Sequence, residues 1–330
     1  MVAMLRLFAA ATLAIGLAGS SFAQELFFAS AAEARPVLSA GDTFLAAMSP
    51  FDRAARMKTD QEVSEAKFAQ FLAASALDWK DDEKARVRAA FDKIRLVVTG
   101  VGLPLPDKVY VIKTSGREES DAAYTRGNAI VLPPPMLAYP EPELRKLLAH
   151  ELFHIATRAN PGLADSLYET IGFHYCREAQ LPPALAARKI TNPDAPRNEY
   201  CIRVKVGGEQ VWAQPVLLAS APKYDTARGG DFFDYLIPGF LLMEMPSGAR
   251  TGRVLQDARG PRWVRQETVG GLLEQVGRNT DYVIQPEEIL ADNFALLVMG
   301  RNVPSPGILA AMKRVLASFN EAVQGARGPH

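Results

Sequence analysis

Between residues 60 and 101, apolar positions return every three or four places, which predicts two helices. Asp60 is a candidate cap for the first, with Val63, Phe68, Phe71 and Leu72 turned inward. Asp81 begins the second, where Ala89, Phe91, Ile94 and Val98 fall near one stripe, and Gly102-Leu103-Pro104-Leu105-Pro106 breaks the pattern. The period then shortens. Lys108–Thr114 reads as a strand, and Ala129–Leu132 as a second one after the turn signal Gly127-Asn128, closed by Pro133-Pro134-Pro135.

A long helical pattern starts near Glu141-Pro142, carries Leu144, Leu147, Leu148, Leu152 and Ile155, and stops at Asn160-Pro161-Gly162. A further helix covers roughly 164–172. From Pro182 to about Gly260 short apolar runs alternate with Gly and Pro, and the segment reads as an irregular insertion with some strands. Pro286 suits a first helical turn, with Glu287–Met299 helical and Gly300 as its stop, and Ser305-Pro306 opens a last amphipathic helix to about Val323. The expected class is α+β, helix-rich with a small mixed sheet.

The first residues belong to a different category. Arg6 precedes the apolar run Leu7–Ala18, and Ser21-Phe22-Ala23 offers the small residues of a cleavage site, so residues 1–23 read as a secretory signal. The run is short for a bilayer span, and no integral membrane segment is expected after its removal. Residues 24–105 then form an N-terminal helical region, and 106–330 the main domain with its insertion at about 180–260. Lys+Arg and Asp+Glu both total 37; removing Arg6 with the signal leaves 36 against 37, a balance of −1. No charge field points to nucleic acid or an anionic membrane. Export, to a periplasm or beyond, makes the two cysteines, Cys176 and Cys201, a predicted disulfide.

The candidate chemistry lies on the long helix. His150-Glu151-Leu152-Phe153-His154 puts two imidazoles one turn apart on one face, where both can reach one ion. Glu151 lies beside that ion rather than on it, placed to take a proton from water activated by one Zn2+. A third ligand is required. Glu288 is the leading candidate, with Asp292 one turn on to accept a hydrogen bond from a ligand histidine; His174 and Glu169 are nearer rivals. A donor to the developing oxyanion is sought among Tyr282, Tyr168 and Tyr175, with Tyr282 preferred.

The pair His150–His154 with the Glu-x-x-Ala-Asp helix Glu288–Asp292 resembles the gluzincin branch of the zincin metallopeptidases. A metzincin-type extension is excluded, because Thr157 and Asn160 stand where its Gly and His are needed. The resemblance implies a zincin-like fold in which an edge strand precedes the active-site helix. Ala123–Leu132 looks like that strand, with Asn128, Ala129 and Ile130 as residues that hold extended peptide through the main chain. Together with the predicted signal, it implies an exported zinc peptidase acting on peptide or protein substrates. A zinc hydrolase of a non-peptide amide, such as a cell-wall component, and a catalytically silent metal-binding module are the alternatives. The 134 residues between His154 and Glu288 exceed the spacing in many gluzincins, and the insertion must account for them.

Overall fold

A computed structural model describes residues 25–246, 248–258 and 260–326; the predicted signal, residues 1–23, lies outside them. The described residues open with Leu26–Phe28 (β1) and four helices, Ala31–Leu38 (α1), Thr43–Ala47 (α2), Pro50–Arg56 (α3) and Glu65–Ala74 (α4). Then come Ala76–Leu77 (β2), Asp81–Gly100 (α5), Val109–Thr114 (β3), Tyr124–Arg126 (β4) and Ala129–Leu132 (β5). The short helix Pro134–Leu137 (α6) leads into Glu141–Ala159 (α7) and Pro161–Glu169 (α8).

Phe173–Tyr175 (β6), Pro183–Ala186 (α9), Tyr200–Val206 (β7), Glu209–Ala219 (β8) and Leu236–Glu244 (β9) follow. Three two-residue strands, Arg253–Val254 (β10), Gln256–Asp257 (β11) and Gly260–Pro261 (β12), precede Trp263–Arg265 (β13). Leu273–Val276 (α10), Pro286–Val298 (α11) and Pro306–Ala326 (α12) are the last elements among the described residues.

Among the described residues, two larger sheets carry the helices, beside a two-stranded β11–β12 pair. The first is mixed, in the order β1-β3-β5-β4, with β2 pairing the far end of β3. Strands β1, β3 and β5 run parallel, and β4 returns antiparallel through a two-residue turn in which Gly127 takes a φ of 58°. That left-handed backbone suits glycine and the twist of a tight hairpin. Every residue of β5 is buried, as expected of an inner strand covered on both faces. The second sheet is antiparallel, in the order β10-β9-β8-β7-β6, with β13 also on β9.

Several expectations need correction. The first helix of the 60–101 region is capped by Ser64, whose hydroxyl accepts from Lys67 N at 3.2 Å; Asp60 lies in the preceding bend. The N-terminal region is not purely helical, since β1 and β2 both join the first sheet through β3. Its core is shared as well: one continuous apolar cluster runs from Leu26 to Leu316.

The segment read as irregular with some strands carries β7, β8, β9 and β10, which pair in one antiparallel sheet. Ala213–Ala219 of β8 is buried at every position, so no in–out alternation marks it. Pro215 is tolerated there because β7 pairs with β8 only as far as Ala213, leaving no ladder bond for the missing N–H. Cys176 and Cys201 form a disulfide (Cα–Cα 5.7 Å) within a second, smaller core around this sheet. No helix among the described residues is long and apolar enough to cross a membrane.

Candidate metal centre

Helices α7 and α11 position the site. Pro142 and two glutamates begin α7, Arg158 ends it, and Leu144, Leu148, Leu152 and Ile155 anchor it in the core. That polarity suits the helix dipole. Helix α11 begins at Pro286 and buries Ile289, Leu290 and Phe294; the rings of Phe153 and Phe294, 5.6 Å apart, lock the two helices together. The polar faces that remain then meet.

Three donor atoms converge between them. His150 Nε2 and His154 Nε2 lie 3.0 Å apart, and Glu288 Oε2 is 3.1 Å from the first and 3.6 Å from the second. A tetrahedral zinc with bonds of 2.0–2.2 Å separates its ligand atoms by about 3.3 Å, so the triangle has the size of one coordination face. The second contacts orient it. Asp292 Oδ1 lies 3.1 Å from His150 Nδ1, which fixes the proton there and turns the Nε2 lone pair toward the cluster. Thr280 Oγ1 donates to the other oxygen of Asp292, and Asn192 Nδ2 donates to Glu288 Oε1 at 2.7 Å.

The electrostatics of the cluster favour a cation. Burial acts to raise the Glu288 pKa, yet the imidazoles of His154 and His150 outweigh it and hold the carboxyl well below the usual range. Burial opposes a proton on His150, but Asp292 and Glu288 overcome this and raise the ring well above its ordinary value. Asp292 is likewise held low, against burial, by its bond to His150. Without a metal, positive charge must be borrowed from protons on the ligands.

Glu151 is only 2% exposed, and its Oε2 has no hydrogen-bond partner. Burial first, and the charge of Asp194 second, push its pKa well above that of a free carboxylate. A buried carboxylate oxygen left without a partner is costly unless something beside it takes up the charge. Glu151, His154 and Asp194 form an overlapping group whose donor atoms lie within 4.8 Å of one another. Asp194 Oδ1 is already engaged by Thr125 and Arg158, so the first triangle is the better-formed ligand set.

Comparison with protein-family models, with curated proteins and with solved structures finds no match. The site therefore rests on its own geometry.

The other predicted residues fall in different places. Tyr282 lines the cleft with His150, Glu151 and Glu288, but its hydroxyl donates to Gln285 Oε1 at 2.7 Å. Burial, then Glu288 and Glu287, push its pKa well above 10, which keeps the phenol a neutral donor. Tyr168 packs edge-on against Tyr200 and lines a second cavity with His154. Tyr175 sits on β6 against Tyr200 and Arg250 and lines neither cavity. His174 and Glu169 stand apart from the cluster, 3.8 Å from each other, with side chains 52% and 58% exposed.

Asn128, Ala129 and Ile130 are displaced from their expected role. Ala129 and Ile130 lie on β5, paired to β3 on one side and to β4 on the other, so their main chain has no free edge. Asn128 O accepts from Tyr110 N, and its side chain donates to Lys108 O. The outer strand is β4. Sequence reasoning also missed Asn192, Asp194, Arg158 and Gln285. The only local signal was the turn-forming run Thr191-Asn192-Pro193-Asp194-Ala195-Pro196, which says nothing of what it touches.

Proposed function

We propose that this chain is an exported zinc-dependent hydrolase of the gluzincin type, cleaving peptide bonds with Glu151 as general base. The observation that carries the proposal is the triangle of His150 Nε2, His154 Nε2 and Glu288 Oε2, 3.0–3.6 Å on a side, with the unpartnered Oε2 of Glu151 alongside. His150, His154 and Glu288 would hold the ion, and Asp292 would keep His150 in its ligating tautomer. Bound zinc supplies Lewis acidity toward water and carbonyl oxygen.

The rest is the work of the side chains. Glu151, raised by burial, accepts a proton from the attacking water and delivers it to the leaving nitrogen. Tyr282 stands at the same cleft with its proton retained and Gln285 holding its hydroxyl. Its reach toward a substrate oxyanion requires exchange of that hydrogen bond. A purely structural zinc has no use for a buried carboxylate outside the ligand set, which separates this reading from that of a silent metal-binding module. Export is supported by the signal-like residues 1–23 and the Cys176–Cys201 disulfide.

Glu151→Gln tests the proposal. The variant should keep its zinc and lose roughly 10²- to 10⁴-fold in hydrolysis of a peptide that the wild type cleaves. Unchanged turnover would remove Glu151 from the mechanism.

A further inference from the structure

In the first sheet β4 is the outer strand next to α7, and an extended polypeptide would have to pair with it. That edge is closed. Thr125 N donates to Asp194 Oδ1 at 3.0 Å, and the Thr125 hydroxyl meets the same oxygen. Arg158 Nη1 donates to Thr125 Oγ1 at 2.7 Å and to Gly127 O at 3.0 Å. Tyr124, Thr125 and Arg126 are all buried.

The covering segment, Thr191–Ala195, is held as a wall rather than hung as a lid. Thr191 N donates to Asp52 Oδ2 at 2.8 Å, and Arg56 Nη2 donates to Thr191 O at 2.9 Å. Arg56 is itself buried in ion pairs with Asp52 and Glu119. Asn192 is tied to Glu288 and Gln285, and Gln285 Nε2 reaches Ala195 O at 3.4 Å. Just upstream, Ile190 N donates to Leu217 O of β8. Polar atoms on α3, β4, β8 and α11 all grip a stretch of half a dozen residues.

This wall divides the space around the cluster. On one side a cavity of about 200 Å³ contains His150, Glu151 and Glu288; on the other a cavity of about 300 Å³ contains His154, and Pro193 and Asp194 line both. The first is smaller than the roughly 300–1,000 Å³ of ordinary ligand clefts. Ala123, Ile190, Leu217, Phe232 and Leu236 make its surface largely apolar, and half-exposed Phe233 stands among its lining residues.

We infer that the cleft takes compact substrates: a single amide or a short peptide, such as an N-acylated amino acid or dipeptide, with an apolar group beside the scissile bond. Long extended polypeptide is excluded by the wall. The inference rests on the hydrolase reading. Chemically it is the same hydrolysis: water adds across the C–N bond, the acyl carbon gains the oxygen, and the amine leaves with a proton.

A length series tests it. Zinc-loaded full-length protein is assayed on an N-acetylated Phe-Leu dipeptide, on a twelve-residue peptide with Phe-Leu at its centre, and on casein. The dipeptide should exceed the long peptide at least 100-fold in kcat/KM, with casein untouched. Equal or faster cleavage of the long substrates overturns the inference and leaves the hydrolase reading standing. Hydrolysis of none of them by protein shown to carry zinc counts against the hydrolase reading itself.

A binding measurement avoids turnover. By fluorescence anisotropy, Glu151→Gln protein should bind the labelled dipeptide and not the labelled twelve-residue peptide. Adding Asp194→Ala frees Thr125 N–H and should raise affinity for the long peptide at least 10-fold. Asp194→Asn, which keeps the shape of the side chain, should do so less. Binding of the long peptide without the wall variant contradicts the inference, as does no gain with it in protein that retains its zinc and melting temperature.

Discussion

Among the described residues, two places bring histidine and glutamate side chains near each other, and only one of them is built. On α7 and α11, three donor atoms meet within 3.6 Å although Glu288 is 138 residues from His150, and Asp292 and Asn192 hold two of the three ligands from behind. On the rim of the second sheet, His174 and Glu169 approach within 3.8 Å, yet both side chains are more than half exposed; the Trp212 ring packs edge-on against His174, and among the described residues no third ligand atom joins the pair. Proximity is cheap on a surface, where an ion pair contributes little. Convergence requires rigid helices locked by rings such as Phe153 and Phe294, and further partners that select one tautomer.

The contrast can be strained from the rim inward. His174 stands opposite Cys201 in the β6–β7 register, two residues before Cys176, so the disulfide braces the His174 site directly. Replacing both cysteines with serine releases a cross-link spanning 25 residues and should cost about 3 kcal/mol of stability in denaturant unfolding. Zinc affinity of the folded variant should stay at the wild-type value, since the α7–α11 face lies in the other core. A parallel loss of zinc affinity would show that the two regions are coupled.

Asp292→Ala comes next. With the brace on His150 Nδ1 removed, zinc affinity should fall about 10- to 100-fold in a competition titration, whereas Glu169→Ala should leave it unchanged.

The smallest effects concern a buried carboxylate with an orphaned oxygen and a half-buried one held by lysine. Glu118 has one orphaned oxygen, and burial raises its pKa. Its contribution to stability is whole below the unfolded value near 4.5 and is lost as pH rises through the folded one. Glu118→Gln should therefore raise the melting temperature at pH 8 by about 2 °C, on the order of 1 kcal/mol, and do little at pH 4. Glu83 runs the other way. Burial would raise it, but bonds from Lys113 and Lys80 N prevail and lower it, so its contribution is present above 4.5 and is lost as pH falls through the folded value. Glu83→Gln should cost at most about 1 kcal/mol at pH 7 and less at pH 3.

What the sequence made legible follows the same division between local and distant causes. Helices α7, α11 and α12 could be bounded from it because Pro142, Pro286 and Pro306 mark their starts and apolar residues recur at helical spacing. The turn Gly127-Asn128 was visible too, but which of its two strands lies outside depends on β3 pairing with β5, and no local pattern encodes that choice. Strands β8 and β9 were hidden by their runs of continuous burial and by Pro215 and Pro238. Asp194 was hidden for a deeper reason: its role comes from Thr125 and Arg158, 69 and 36 residues away along the chain.

The proposed chemistry depends on which side chains hold the ion. Purified protein, loaded with zinc and dialysed, can be assayed by elemental analysis as wild type, His154→Ala, Glu288→Ala and His174→Ala, with folding monitored by circular dichroism. One zinc per chain should remain in the wild type and in His174→Ala, and little or none in the other two. A folded Glu288→Ala protein that keeps its full equivalent, while His174→Ala loses it, would contradict the proposed centre.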